Sequence, residues 1–333
     1  MKVIILTAGR GTRLLPHTLT KPKQLINVAG KAVLGHIIDR YIGLPVEEYI
    51  FVVGYLSEQI EKYVNSNYQI PASFVTQDDP LGQADAILRC RDKVHGPVIV
   101  ILGDTLTDAD FGQLAGETAD AVVYLKEVED PRRFGIAVLD ERGMVARFVE
   151  KPDSIDNKLA IIGAYYIKDS DLLMRCCQEL MEHHIRTKGE YYLADALDLM
   201  IQKHGAKFRP CSVKVWEDCG KPETLLQTNR YLLDNGHDNS SERPSGNYLV
   251  IPPVNIASTA TIVNSIIGPH ATIADGCTIS GSIIRNSIVD EGARIDDTML
   301  DSSLIGKDAI VRGHYVMLNV GDSSQVDFAL IHD

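Results

Sequence analysis

Residues 3 to 13 read Val-Ile-Ile-Leu-Thr-Ala-Gly-Arg-Gly-Thr-Arg, a short β-branched run that breaks into a turn with two glycines and a fixed positive charge. Glycine lets a backbone approach a phosphate closely, successive amides form an anion-binding nest, and Arg13 adds a permanent charge. The turn is neither G-x-x-x-x-G-K-[ST] nor a three-glycine dinucleotide fingerprint, so on these residues alone a plain tight turn stays open. The next segments are more basic: Pro16, then Lys21-Pro22-Lys23-Gln24-Leu25, then Val28-Ala29-Gly30-Lys31. Further along, Asp104 comes after Leu102-Gly103 at the end of an apolar run, and Asp218 lies just after the single Trp216. Taken singly, the first aspartate reads equally well as a helix cap and the second as a turn former.

In combination these segments resemble the sugar-1-phosphate nucleotidylyltransferases, whose opening is close to L-A-G-G-x-G-T-R-L followed by P-K-x-L. Gln77-Asp78-Asp79-Pro80-Leu81-Gly82-Gln83-Ala84 resembles that family's nucleobase loop, and Leu102-Gly103-Asp104 its first metal-binding turn. Phe134-Gly135, Glu150-Lys151-Pro152 and Gly163-Ala164-Tyr165-Tyr166 are similar to its sugar-pocket segments, and Trp216-Glu217-Asp218-Cys219-Gly220 to its W-x-D-x-G turn. The best match is the glucose-1-phosphate thymidylyltransferase-like branch with a C-terminal left-handed β-helix. Four positions depart from the pattern. Thr7 stands where Ala or Gly is usual, Arg10 at an often small position, Ala32 in place of a proline, and Phe134 where Tyr is common.

The resemblance implies a role for each residue. Leu6, Ala8, Gly9, Gly11, Thr12, Arg13 and Gln24 hold the nucleotide, with Gln77, Pro80 and Gly82 around its base. Arg13, Lys23 and Lys151 are the catalytic cations: Arg13 on the triphosphate, Lys23 near the α-phosphate, Lys151 on the sugar phosphate. Phe134, Gly135, Glu150, Ile161 and Trp216 form the sugar pocket. Asp104, also against the nucleotide, and Asp218 share a Mg²⁺, a hard cation suited to one or two carboxylates plus phosphate oxygens. Lys21 and Lys31 read as surface charges, and Glu190 to Asp195 as the start of a helix outside the site.

The chemistry is consistent with these residue types. A sugar 1-phosphate oxygen attacks the α-phosphorus of a nucleoside triphosphate and pyrophosphate leaves in line. The nucleophile is already an anion, so the protein must supply position and electrostatic stabilisation rather than a base. The Gln77 amide offers a donor and an acceptor, matching O4 and N3–H of thymine or uracil, which favours dTTP or UTP; the resemblance implies glucose 1-phosphate as the sugar. Guanylyltransferase relatives of the GDP-mannose type commonly carry Glu near this place. A second class of activity, acyl transfer in the β-helix by His270 or His314, is the alternative; a regulatory protein without turnover would typically lack Asp104 and Asp218.

The elements that must position these groups are legible in the periodicity. Runs at Val3 to Leu6, Tyr49 to Val53, Ser73 to Thr76, Val98 to Leu102 and Ala121 to Leu125 read as buried strands, with helices at Val33 to Gly43, Ser57 to Asn65 and Gln83 to Arg91 between them. This predicts a doubly wound, Rossmann-like mixed α/β sheet with ligands at the carboxyl ends of its strands. Gly135 to Asp140, Arg147 to Glu150 and Gly163 to Lys168 look antiparallel and should wall the cleft. A polar, turn-rich stretch then precedes a new pattern. From Ile256 onward aliphatics recur every five or six positions, at Ile262, Ile267, Ile273, Ile279, Ile284, Val289, Ile295, Leu300, Ile305 and Val311, which is the mark of a hexapeptide β-helix of three or four coils. The expected division is 1–235 nucleotidyltransferase, 236–248 linker and 249–333 left-handed β-helix.

Composition narrows the remaining possibilities. The 333 residues are 45% hydrophobic and carry a net charge of -12, which disfavours nucleic acid and anionic membranes as partners. Six cysteines show no zinc spacing, no apolar stretch reaches the roughly 20 residues of a membrane span, and the opening run is too short for a signal peptide. A cytoplasmic homo-oligomer is expected.

Overall fold

The computed structural model describes residues 1–114, 116–242 and 247–313. Its first part is a nine-stranded mixed sheet between helices. In chain order the elements are β1 (Lys2–Leu6), α1 (Val33–Tyr41), β2 (Glu48–Val53), α2 (Ser57–Asn67), β3 (Ala72–Thr76), α3 (Gln83–Leu88), β4 (Val98–Leu102), β5 (Thr105–Thr107), β6 (Ala121–Glu127), β7 (Gly135–Leu139), β8 (Val145–Glu150), β9 (Leu159–Ile167), α4 (Ser170–Glu182), α5 (Leu193–Gln202), β10 (Phe208–Ser212), β11 (Trp216–Asp218) and α6 (Pro222–Leu232). The strand order is β3-β2-β1-β4-β9-β6-β10-β8-β7. The first four strands are parallel, and β9 joins β4 and β6 in antiparallel fashion. The chain moves outward from β1 to β2 and β3, then returns to β1's other side as β4. Strand order therefore reverses beside β1, and a crevice opens there at the carboxyl ends of β1 and β4.

The strands are apolar on both faces because both faces are covered. Ile4, Val52 and Val100 belong to one core cluster with residues of α3, α4 and α5. Val3, Ile5, Phe51 and Ile101 belong to the other, with Leu34 and Ile38 of α1 and Leu225 of α6. Helix α3 is shorter than its apolar pattern predicts, ending at Leu88.

After α6 the chain kinks within Leu233–His237, where Asn235 and Gly236 leave helical geometry, and makes a short turn at Ser240–Glu242. The polar stretch expected as a linker is hydrogen-bonded here. Val254 N donates to Asp238 Oδ1 at 3.0 Å, and Asn239 pairs with Ile256 through both its amide nitrogen and its amide oxygen. Three four-stranded parallel sheets then form a left-handed β-helix. Equivalent residues stack in register, Leu249 on Ile266 on Ile283 on Met299 along one face. All eleven aliphatics at the hexad positions belong to its core.

One face of the β-helix packs on the first part of the molecule. Ile288 belongs to the core cluster that holds Leu14 and Val28, and Leu304 packs against it. Asn229 of α6 is buried at this contact: its Oδ1 accepts from Ala29 N at 2.8 Å and from Thr272 Oγ1 at 2.7 Å. All six cysteines are free thiols, and among the described residues no helix is long and apolar enough to cross a membrane.

Candidate active site

The crevice beside β1 is a cleft of about 730 Å³. Its walls hold Leu6, Ala8, Gly9, Gly11, Thr12, Arg13, Lys23, Gln24, Gln77, Pro80, Gly82, Asp104, Phe134, Gly135, Glu150, Lys151, Ile161, Trp216 and Asp218, which are all the residues the sequence nominates.

The floor is the loop after β1. Gly11 has φ 66°, a left-handed conformation that favours glycine, and the side chains of Thr18 and Lys23 close over it. Thr18 Oγ1 donates to the Gly11 carbonyl at 2.8 Å, tying the turn to the next loop. Thr7, out of pattern for its position, is accommodated because its hydroxyl donates to Val52 O at 2.7 Å. Lys23 reaches the Asp104 carboxylate, and the Arg13 guanidinium lies against Gly220, in the turn after Asp218. Gln24 is buried; its Nε2 donates to Thr7 O at 3.0 Å, while its Oε1 has no protein partner.

Asp104 and Asp218 approach through the antiparallel pair β5–β11, which sets Thr105 opposite Asp218, and Cys219 N donates to Asp104 O at 2.9 Å. Their ionisation is coupled. Burial pushes the Asp104 carboxyl up, but Lys23 and Arg13 outweigh it and hold its pKa below the usual aspartate range. Asp218 is raised, by burial and then by the charge of Asp104. Two partly buried carboxylates that repel each other, offering oxygen donors only and sharing the cleft with Lys23 and Arg13 of the basic segments after β1, fit Mg²⁺. Asp218 Oδ1 already accepts from Gly220 N at 2.9 Å, which holds its carboxylate in place.

The loop expected to meet the nucleobase runs from β3 to α3. Gln77 Nε2 donates to Gly82 O at 3.0 Å and to Asp85 Oδ2 at 2.7 Å. This corrects the expectation that the amide offers both donor and acceptor: its N–H groups are committed within the loop, and Oε1 is what remains for a base. Gly82 (φ 129°) lies so close to the Tyr191 backbone that a Cβ there would strike the Tyr191 carbonyl.

On the other side stand the residues expected to meet the sugar. Phe134 and Trp216 meet edge to face, centroids 4.9 Å apart, and the buried Trp216 Nε1 has no protein partner. Burial pushes the Glu150 carboxyl up to about 7, with Asp195 and Glu190 adding to the rise and Lys151 opposing it. Lys151 adopts φ 46°, uncommon for a residue with a Cβ. Its ammonium bonds the Tyr192 hydroxyl and lies 4.2 Å from the centre of that ring.

Tyr192 was missed by sequence reasoning, as were Glu190, Ala194 and Arg133, which also line the cleft; Tyr165, from a segment expected to resemble the sugar pocket, lines it too. The stretch Glu190 to Asp195 does start helix α5, as expected, but contrary to expectation it also contributes to the wall. Lys21 is likewise no surface charge: its Nζ bonds Asp290 Oδ2 of the β-helix at 2.7 Å, whereas Lys31 pairs with Asp39 in the open. His270 is paired with Asp234 at 2.8 Å, between the β-helix and the end of α6. His314 lies outside the described residues.

The family described as nucleotidyl transferase matches residues 2–235. The low-salt glycan biosynthesis nucleotidyltransferase Agl11 of Haloferax volcanii is 29% identical over 337 residues, 93% of each chain. The UTP–glucose-1-phosphate uridylyltransferase AglF of the same organism is 30% identical over 242 residues, 70% of this chain and 97% of that one. A glucose-1-phosphate thymidylyltransferase of Streptomyces griseus is 28% identical over 360 residues, 99% of this chain and 100% of that one. Among solved structures, a UDP-glucose pyrophosphorylase complexed with UDP-glucose superposes with a TM-score of 0.61 at 22% identity, covering 70% of this chain and 98% of the other; at that identity it shows the fold.

Proposed function

The chain belongs to the nucleotidyl transferase family and makes an NDP-sugar and pyrophosphate from a nucleoside triphosphate and a sugar 1-phosphate; we propose that its base is uracil or thymine and its sugar 1-phosphate that of glucose. The observation that carries the base is Gln77. With its nitrogen committed to Gly82 and Asp85, the amide presents an acceptor, and uracil and thymine present N3–H. Guanine's N1–H would also meet an acceptor, so exclusion of purines falls to the width of the loop between Pro80, Gly82 and the Tyr191 backbone. The glucose assignment rests on the relatives, two of which are named for glucose 1-phosphate.

In this reading the amides of residues 8 to 13 and the Arg13 guanidinium hold the triphosphate. Lys23 stands beside the α-phosphate and Lys151 binds the phosphate of the sugar. These cations reduce the repulsion between two anionic reactants and stabilise charge in the transition state. Asp104 and Asp218 would hold the Mg²⁺, which supplies charge neutralisation to phosphate oxygens when bound. Lys23 then answers to both Asp104 and the nucleotide, a contact that keeps its ammonium in the cleft before substrate arrives. Glu150 accepts from sugar hydroxyls, and Phe134 and Trp216 pack on the ring.

The proposed division is 1–235 for this chemistry, 236–248 as connector and 249–333 as β-helix. Copies of the chain are proposed to assemble through the outward aliphatic row Leu249, Ile266, Ile283 and Met299, of which Leu249 and Met299 are 54% and 78% exposed. The protein is proposed to act in the cytoplasm. A pyrophosphate-release assay over dTTP, UTP, CTP, GTP and ATP against several sugar 1-phosphates, with and without Mg²⁺, tests the reading. Release confined to dTTP or UTP with glucose 1-phosphate supports it; preference for GTP, or no release from any pair, overturns it.

A further inference from the structure

We infer that Asp85 is a positioning residue for base choice: by holding the amide nitrogen of Gln77, it turns the amide oxygen toward the nucleobase and so selects a base that carries a hydrogen on N3. The inference rests on the reading of residues 77 to 82 as the base site.

Gln77 comes directly after β3 and is 6% exposed, and it lines the cleft. Its amide has one nitrogen and one oxygen, nearly equal in shape, so the partners it finds decide which of them faces outward. Both partners on the inner side, the Gly82 carbonyl and the Asp85 carboxylate, can only accept. Reversing the amide would set Oε1 against two oxygens at about the same short distances and lose both bonds.

Asp85 sits in the first turn of α3, 3% exposed and behind the cleft wall. The oxygen that accepts from Gln77 also accepts from Arg89 Nε at 3.1 Å, one helical turn on. Arg89 therefore supplies the charge that lets a carboxylate stay buried here. A carboxylate holds an N–H roughly twice as strongly as a neutral acceptor does, so Asp85 is the stronger of the two anchors.

Cytosine is the discriminating case. It matches uracil in size but carries a lone pair at N3, where uracil carries a hydrogen. An amide oxygen fixed at that place bonds uracil and repels cytosine, whereas a free amide can turn to suit either.

The test is pyrophosphate release by the full chain with glucose 1-phosphate, comparing UTP with CTP, and dUTP with dCTP in case the 2′-hydroxyl is excluded. Wild type should favour the uracil nucleotide by roughly tenfold to a hundredfold in kcat/KM. Asp85→Leu, which removes the acceptor, should cut that ratio about tenfold, mainly through KM. Asp85→Asn keeps an acceptor oxygen in place and should retain most of the ratio. In a Gln77→Met background, Asp85→Leu should have no further effect on it. Melting temperatures establish folding, and Asp85→Ala replaces the leucine variant if that one does not fold. An unchanged ratio in the apolar variant, an equal loss in Asp85→Asn, or the same loss in the Gln77→Met background overturns the inference while leaving the base site standing. A wild type that prefers purines or shows no uracil preference would instead overturn the base-site reading, and the inference with it.

Discussion

Lys21 and Asp290, 269 residues apart in sequence, form an ion pair at 2.7 Å with side chains only 14% and 11% exposed. Lys21 lies two residues before Lys23, so a corner of the β-helix holds the loop that carries a proposed catalytic cation. Lys21→Met and Asp290→Asn are each expected to lower kcat/KM for the triphosphate several-fold to tenfold, because either change leaves a largely buried partner unpaired. In a double-mutant cycle the two changes should fall well short of additive. Fully additive losses would show that the pair does not act as a unit.

Asp104→Asn and Asp218→Asn should each reduce turnover at limiting Mg²⁺ about a hundredfold or more, since each removes a charged oxygen from the proposed metal site. Their stabilities should diverge in a telling way. Asp218 is raised by burial and by Asp104, so its neutral replacement relieves a repelled charge and should melt no lower than wild type without metal. Asp104→Asn removes the partner of Lys23 and should melt lower. Near wild-type activity in either variant would remove that residue from the metal site.

Glu150 gives a stability test in the pH dependence. Burial raises its carboxyl from 4.5 to about 7, so across that window the folded protein keeps a proton that the unfolded chain has lost. Stability attributable to this group therefore falls as pH rises through the window and stays lower above it. Relative to wild type, Glu150→Gln should gain stability between pH 4.5 and pH 7.5, by on the order of 3 kcal/mol at most. Denaturation at the two pH values measures it, and a constant difference would mean the carboxyl titrates normally.

Ile288 is part of a core cluster whose other members come from the first 235 residues. Truncating it to alanine should cost about 2–5 kcal/mol and lower the melting temperature of the whole chain. Calorimetry of wild type should show a single transition; two well-separated transitions would mean that the shared core does not couple the parts.

Met299→Lys and Ile283→Lys place charges in the aliphatic row stacked along one face of the β-helix. If copies meet there, light scattering should report a smaller species for both, with turnover retained. An unchanged mass would exclude this row as the contact.

The parallel half of the sheet could be read from apolar runs because strands covered on both sides must be apolar throughout, and the β-helix because one aliphatic per hexad points inward. Arg13, Lys23 and the two aspartates were legible from their turns. Tyr192 was not, because residue type and spacing describe it equally well as a helix start, which it also is. Lys21 read as solvated for a related reason: its partner lies 269 residues away, and nothing local announces a long-range ion pair. The orientation of Gln77 depended on an aspartate in the first turn of α3, a relation that a linear motif does not contain.

In a solenoid each coil leans on its neighbours alone, and the contacts with the first part of the molecule include Thr272, Ile288, Asp290 and Leu304, on successive coils of one face. A change in coil number is therefore not equivalent at the two ends. Extra coils beyond these could lengthen the molecule and leave the loop of Lys21 and Lys23 where it is, while insertion of even part of a coil before Thr272 would shift that whole face out of step with α6 and Lys21. Descendants of this chain are free to vary in length toward the C-terminus and constrained near the junction.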